Sequence, residues 1–190
     1  MNSISTLIRA RRAYFHKMYS DLPIAQEIIL EILENANWAP THKRTEPWRF
    51  KIFHSTESRQ RLVDFIADDY KANTPIELFS ELKMKDASEK PMIAACTIAI
   101  CIQRDPLASL PEWEEIAAVA CAVQNMWLTC TAYNIGSYWA SPGFISRLSP
   151  ILELNEGERC IGLFYMGQLK EGAIAPAIRK PFEDKIKFMN

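Results

Sequence analysis

Residues 116–146 carry no charged side chain, and the run is entered through Pro111 and three acids, Glu112, Glu114 and Glu115. Proline suits the first position of a helix, and carboxylates favour its positive end. The pattern predicts a helix from Pro111 to about Asn134, with Gly136 as its stop. A membrane-spanning helix needs about 20 consecutive apolar residues, and Gln124, Asn125, Thr129, Thr131, Asn134, Gly136 and Pro142 interrupt this run. It reads instead as a buried helix followed by a strand at 137–140 and a turn. Small residues crowd the first half (Ala117, Ala118, Ala120, Cys121, Ala122), so another element can approach closely. A layered domain of 190 residues cannot easily cover every face of such a helix, whereas a second copy of the chain would.

The rest of the chain supplies the layers. Ser3 is placed to cap a short helix with Ile4, Leu7, Ile8 and Arg11 on one face. Pro23 precedes a second helix, 24–37, striped by Ile28, Ile29, Ile32 and Leu33. A basic loop between Pro40 and Pro47 leads to a strand at 48–53 and a helix at 56–70. Residues 71–90 are charged and mixed in pattern, and predict a mobile helical lid or loop. Pro91 to Ile102 reads as a strand buried on both faces, 143–153 as a short helix and 159–168 as a last strand. Helices alternating with strands predict a single domain, 1–190, in which a sheet is covered by helices, an α+β or α/β sandwich.

Composition narrows the function. Twenty-two basic and 23 acidic residues leave a net charge of −1, which predicts neither a nucleic-acid footprint nor attraction to anionic membranes. The first residues lack the apolar core of a signal peptide. The five cysteines form no C-x-x-C, and the three histidines are not spaced as zinc ligands. Reduced, buried core thiols in a cytoplasmic protein are the expectation. No nucleophile elbow, zinc motif, P-loop or dinucleotide fingerprint occurs, so any catalysis falls to a cofactor.

Three basic groups, Arg9/Arg11/Arg12, His42/Lys43/Arg44 and Arg179/Lys180, carry the donors needed to neutralise a phosphate monoester. Each also has an ordinary explanation: closing a helix, solvating a loop, ending a tail. Aromatic residues flank them, Trp38 and Trp48 around the basic loop and Tyr138-Trp139 after the long helix. Flat apolar walls beside arginines suit a flavin mononucleotide.

Five segments in this order carry a resemblance: Arg11-Arg12-Ala13-Tyr14-Phe15; Ala39-Pro40, then Glu46-Pro47-Trp48-Arg49-Phe50; the long helix from Trp113; Ile135-Gly136-Ser137-Tyr138-Trp139; and Arg179-Lys180-Pro181-Phe182-Glu183. The sequence resembles the FMN-dependent nitroreductase family, in its short, insertion-poor bacterial branch, over essentially the whole chain. The resemblance implies an α+β fold with a mixed sheet and an obligate homodimer built on a long central interface helix. It implies that Arg11 and Arg12, with the backbone through Ala13, Tyr14 and Phe15, hold the phosphate and ribityl end of FMN and approach its pyrimidine edge. Arg179 is another phosphate ligand by the same resemblance, and Trp139, Ala140 and Ser141 pass beside the ring near N5. Trp38, His42 and Arg44 come from the other subunit.

Three positions depart from the family pattern. Ala13 replaces a serine, removing one hydroxyl donor worth about 0.5–1.5 kcal/mol. Phe15 stands where relatives place a cation near flavin N1 and O2, with His16, Lys17 or a group of the neighbouring subunit as substitutes. Glu46 replaces a glutamine.

The activity implied is two-electron transfer from NADH or NADPH, through bound FMN, to a small-molecule acceptor such as a nitroaromatic, quinone or enone. No side chain is assigned as a general acid or base. The departures keep open a flavin carrier or sensor with little reductase activity, and the lack of acid–base motifs keeps open a flavin-free structural dimer.

Overall fold

The computed structural model describes residues 2–189. Its framework is a four-stranded sheet in the order β1-β2-β4-β3, with β1 at Trp48–Phe53, β2 at Cys96–Gln103, β3 at Ile135–Ala140 and β4 at Glu158–Gln168. All three ladders of the described residues are antiparallel, where a mixed sheet was expected. From Cys96 to Ile102 every residue of β2 is buried, as expected for a strand covered on both faces. Pro91 lies before this strand, in a one-turn helix, because its ring fixes a helical φ and it has no N–H to give a ladder.

Among the described residues seven α-helices surround the sheet: α1 (Ser3–Ala10), α2 (Gln26–Asn37), α3 (Thr56–Asn73), α4 (Glu81–Ser88), α5 (Lys90–Ile93), α6 (Glu112–Ala132) and α7 (Ser149–Leu152). Side-chain caps fix several starts. Asn2, not Ser3, caps α1, its Oδ1 accepting from the Ser5 N–H at 2.8 Å. Ser55 does the same for α3 through Ser58, and Ser80 for α4 through Lys83. Residues 71–90 are therefore largely helical: the end of α3, a 3₁₀ turn at Ile76–Leu78, and α4.

The sheet separates two apolar clusters. Ile98, Ile100, Ile102, Phe164 and Met166 pack with Ile29 and Ile32 of α2 and Val119, Val123 and Met126 of α6. Ala99, Cys101, Leu163 and Tyr165 face Leu62 and Ile66 of α3 and Leu148 and Leu152 near α7. Alternation along β2 and β4 assigns the faces. It breaks once, at a register shift between Ile100 and Cys101, where Ile161 is left without a partner.

Helix α6 begins one residue later than expected, at Glu112, with Pro111 as its extended N-cap and the three acids in its first turn. It stops at Tyr133 and Asn134, and Asn134 takes the left-handed φ of 54° assigned in advance to Gly136. Gly136 is instead the second residue of β3. Buried Glu115 accepts from Arg104 Nε and from the Asp105 N–H at 2.8 Å, pinning the first turn of α6 to the end of β2. Removing Arg104 would leave the Glu115 carboxylate buried without its cation, a change that costs about 3–5 kcal/mol. Helix α6 is not buried all round: Trp113, Ile116, Ala117, Ala120 and Cys121 form an exposed uncharged stripe at helical spacing. The other four thiols are buried, so Cys121 corrects the expectation of an all-core set. No described helix is long and apolar enough to cross a membrane.

Candidate functional site

Where α1 ends against α6, a cavity of about 600 Å³ is lined by Ile8, Arg9, Arg11, Arg12, Gln124, Ala177 and Arg179. The sequence brings these groups together by simple means. Helix α1 is amphipathic but buries none of its residues, and lies against α6. Arg9 in its last turn and Arg11 and Arg12 just past its end reach one edge, and the C-terminal tail returns Arg179 to the other. The Arg11 guanidinium sits 4.5 Å over the Trp127 ring, a cation–π contact that fixes its direction. Trp127 in turn donates its indole N–H to the Arg12 carbonyl at 2.9 Å.

Arg12 has part of the ordinary role foreseen for it. Its guanidinium donates to the carbonyls of Arg9 at 2.5 Å and Arg11 at 2.9 Å, closing the helix. Arg179 donates to its neighbouring Ile178 carbonyl. Among the described residues no carboxylate pairs with Arg9, Arg11, Arg12 or Arg179. Burial, then the charges of Arg179 and Arg12, hold the Arg11 pKa below its ordinary value. Positive charge is thus concentrated here without a protein counter-ion, which is the electrostatic condition for binding an anion.

From this cavity the chain crosses the end of the sheet. The Tyr14 N–H donates to the Ser137 carbonyl at 3.1 Å, and the Tyr19 hydroxyl donates to the Tyr14 carbonyl at 2.7 Å. Tyr19 lies over Gly136 and Gly167, cross-strand partners on β3 and β4. A Cβ on Gly167 would fall 2.4 Å from the Tyr19 ring, and one on Gly136 would fall 3.1 Å from the Tyr14 Cβ. The glycines therefore permit the close crossing that brings residues 13–15 to β3. Ala13 is half-buried against the core, while Phe15 is 55 % exposed, its ring 5.0 Å from Tyr138. Trp139 and Ala140 end β3, Trp139 with its indole over Gly162 and its N–H unpartnered, and Ser141 follows in the open.

Of the residues singled out from sequence, Arg11, Arg12 and Arg179 share the cavity; Ala13, Tyr14 and Phe15 connect it to the strand of Trp139 and Ala140. Trp38, His42 and Arg44 lie elsewhere in the chain. Trp38 is 78 % exposed with its N–H on Glu34, His42 Nδ1 is 2.7 Å from Glu114, and Arg44 projects from a left-handed turn at φ 56°. His42 and Glu114 line a second depression, with Trp113 and Cys121 on the exposed stripe of α6. Neither replacement offered by the same chain for the missing cation at Phe15 is a free charge. Burial, then Lys90, lowers the pKa of His16, whose Nδ1 is 3.3 Å from the Tyr138 hydroxyl; Lys17 pairs with Asp86 at 3.0 Å. Glu46 is exposed in the loop at φ 42° and does not line the cavity. Gln124 and Trp127 were missed as site residues. Their signal was present, since they lie three apart on one face of the uncharged helix.

The sequence model described as Nitroreductase family matches residues 8–168. The chain belongs to the nitroreductase family. Among its relatives, "Putative NAD(P)H nitroreductase YfhC" of Bacillus subtilis (strain 168) is 26% identical over 187 residues, 96% of this chain and 92% of that one. A nitroreductase-like family protein from Bacillus cereus superposes with a TM-score of 0.81 at 25% identity, over 100% of this chain and 97% of that one. A nitroreductase with bound FMN from Bacteroides fragilis gives 0.75 at 20% identity, over the full length of both. The chain thus shares its fold with these two solved structures, and the arginine cavity lies largely inside the matched segment, with Ala177 and Arg179 beyond it.

Proposed function

We propose that this nitroreductase-family chain is a single-domain, homodimeric, FMN-dependent NAD(P)H oxidoreductase. The observation that carries the reading is the cavity where Arg11, Arg12 and Arg179 converge without an acidic neighbour. Its volume suits a small-molecule site of about 300–1,000 Å³, and its charge fits the phosphate of FMN. The FMN of the Bacteroides fragilis relative and the name of the Bacillus subtilis relative supply the cofactor and the donor class.

In this reading Arg11, braced on Trp127, and Arg179 donate to the phosphate oxygens, while Arg12 adds charge and keeps α1 closed. The backbone of Ala13, Tyr14 and Phe15 follows the ribityl end, held against Ser137 through the Tyr14 N–H. Trp139, Ala140 and Ser141 wall the ring side. Bound FMN would supply the two-electron redox chemistry between NADH or NADPH and a nitroaromatic, quinone or enone. The chain's residues position these molecules and exclude water, without a dedicated acid or base. The exposed stripe of α6 supports the dimer, in which Trp38, His42 and Arg44 of one copy reach the site of the other. Helix α4, tied to the 3₁₀ turn at His16–Met18 by Lys17–Asp86, borders the acceptor side.

Steady-state kinetics test the scheme. Varying NAD(P)H at several fixed quinone concentrations should give parallel double-reciprocal lines, as alternating donor and acceptor require. Intersecting lines would refute the alternating scheme. The absence of a free cation at His16 and Lys17 favours a second reading, a flavin carrier or sensor, and negligible turnover by a protein that retains FMN would establish it.

A further inference from the structure

Two buried thiols face each other at the one irregularity of the sheet. Residues 162, 164 and 166 of β4 belong to the face covered by α2 and α6, and strict alternation would send Cys160 to that face as well. The bulge at Ile161 prevents this. Ile161 packs on the α2/α6 side like Gly162, and Cys160 emerges on the opposite side with Leu163 and Tyr165. There Cys160 is the direct cross-strand partner of Cys101, whose side chain lies in the same cluster. Antiparallel partners stand about 4.5–5.5 Å apart at Cα, inside the roughly 4.4–6.8 Å that a disulfide spans. One extra residue therefore creates a pairing that a regular ladder would forbid.

We propose that Cys101 and Cys160 are a redox modification site, closing to a reversible cross-strand disulfide when the protein meets a hydroperoxide. The two thiols are not equivalent. Cys160 is 7 % exposed and Cys101 is not exposed at all. The Cys160 thiol donates to the Gly162 carbonyl at 3.4 Å; its pairing with Cys101 holds the Cys160 pKa below the ordinary value and pushes that of Cys101 up, while burial pushes the thiols of Cys96 and Cys130 up to about 12. Cys160 is thus the group that reacts first. Its sulfur attacks one peroxide oxygen, the O–O bond breaks, and water leaves a sulfenic acid on Cys160. The Cys101 sulfur then attacks the Cys160 sulfur; the S–S bond forms, the S–O bond breaks, and the departing hydroxide takes the Cys101 proton as a second water. Two thiols lose two electrons and two protons, and one hydrogen peroxide becomes two waters.

The test is a peptide map of the folded full-length protein after dilute hydrogen peroxide, alkylated in denaturant and digested with trypsin without reduction. The peptide of residues 86–104, alkylated at Cys96, should appear joined to that of 160–170, about 2 Da lighter than these two peptides together with Cys101 and Cys160 as free thiols. Dithiothreitol should separate them. Fragmentation should place the link on Cys101 rather than Cys96, which shares its peptide but faces the other side of the sheet. In Cys101→Ala the link should vanish, with Cys160 carrying added oxygen. Both peptides fully alkylated under conditions that oxidise the exposed Cys121 would overturn the proposal, as would a link through Cys96. The wild-type map decides the matter even where the variant fails to fold.

Discussion

Replacing Arg11 with alanine separates a binding role from a structural one. The Arg11 guanidinium makes no salt bridge among the described residues, and its main contact is the Trp127 ring at 4.5 Å. Losing that cation–π contact removes about 0.5–1 kcal/mol. The loss is offset by relief of the burial and repulsion from Arg179 and Arg12 that depress its pKa. The melting temperature of the FMN-free protein should therefore move by no more than about 4 °C. The bound state is different, since hydrogen bonds to a charged group are worth about 1.5–3 kcal/mol. At about 1.4 kcal/mol per decade, the Kd for FMN should rise about 10- to 150-fold. Arg11→Lys, which keeps the charge and loses the paired donors, should fall between. Isothermal titration of FMN into the flavin-free protein at fixed ionic strength measures the change. An unchanged Kd in a variant of unchanged melting temperature would refute the assignment of Arg11 to the phosphate.

Three further predictions address the scaffold. Gly167→Ala places a methyl group against the buried Tyr19 ring; overpacking of about 1–3 kcal/mol should lower the melting temperature by about 2–12 °C in a calorimetric scan. His16 has a depressed pKa when folded, so the unfolded chain binds the extra proton: its contribution is complete above the ordinary value of 6.5 and is lost as pH falls toward the folded value. Urea midpoints should therefore decline less between pH 7 and pH 5.5 in His16→Gln than in wild type, by about one histidine's share. Ala120→Arg sets a charge in the uncharged stripe of α6, and light scattering should then give the 21.8 kDa single-chain mass where the wild type gives twice that value.

The long helix, the four strands and their helical covers could be read in advance because period and punctuation determined them. Pro111 and its acids marked one end of α6, and the apolar run of β2 marked the sheet centre. Local boundaries moved where a competing residue did the same task better: Asn2 over Ser3 as a cap, Asn134 over Gly136 as a helix stop. From the residues alone, Arg11 and Arg12 stood in one basic cluster and Arg179 in another, and only the family resemblance joined them, since the tail's return is a tertiary event without a local signal. The glycine crossing beneath Tyr19 was hidden for the same reason, whereas Trp127 shared with Gln124 a helix face that the sequence did display. The bulge at Ile161 was also unreadable, because it depends on how β4 registers against β2.

The most direct test of the account is the visible spectrum of the purified, desalted protein after incubation with FMN, repeated without oxygen after adding NADH or NADPH. The account predicts that a flavin spectrum survives desalting and bleaches with at least one donor. A retained spectrum that neither donor bleaches would leave a flavin carrier, and a protein that retains no flavin would contradict the central claim.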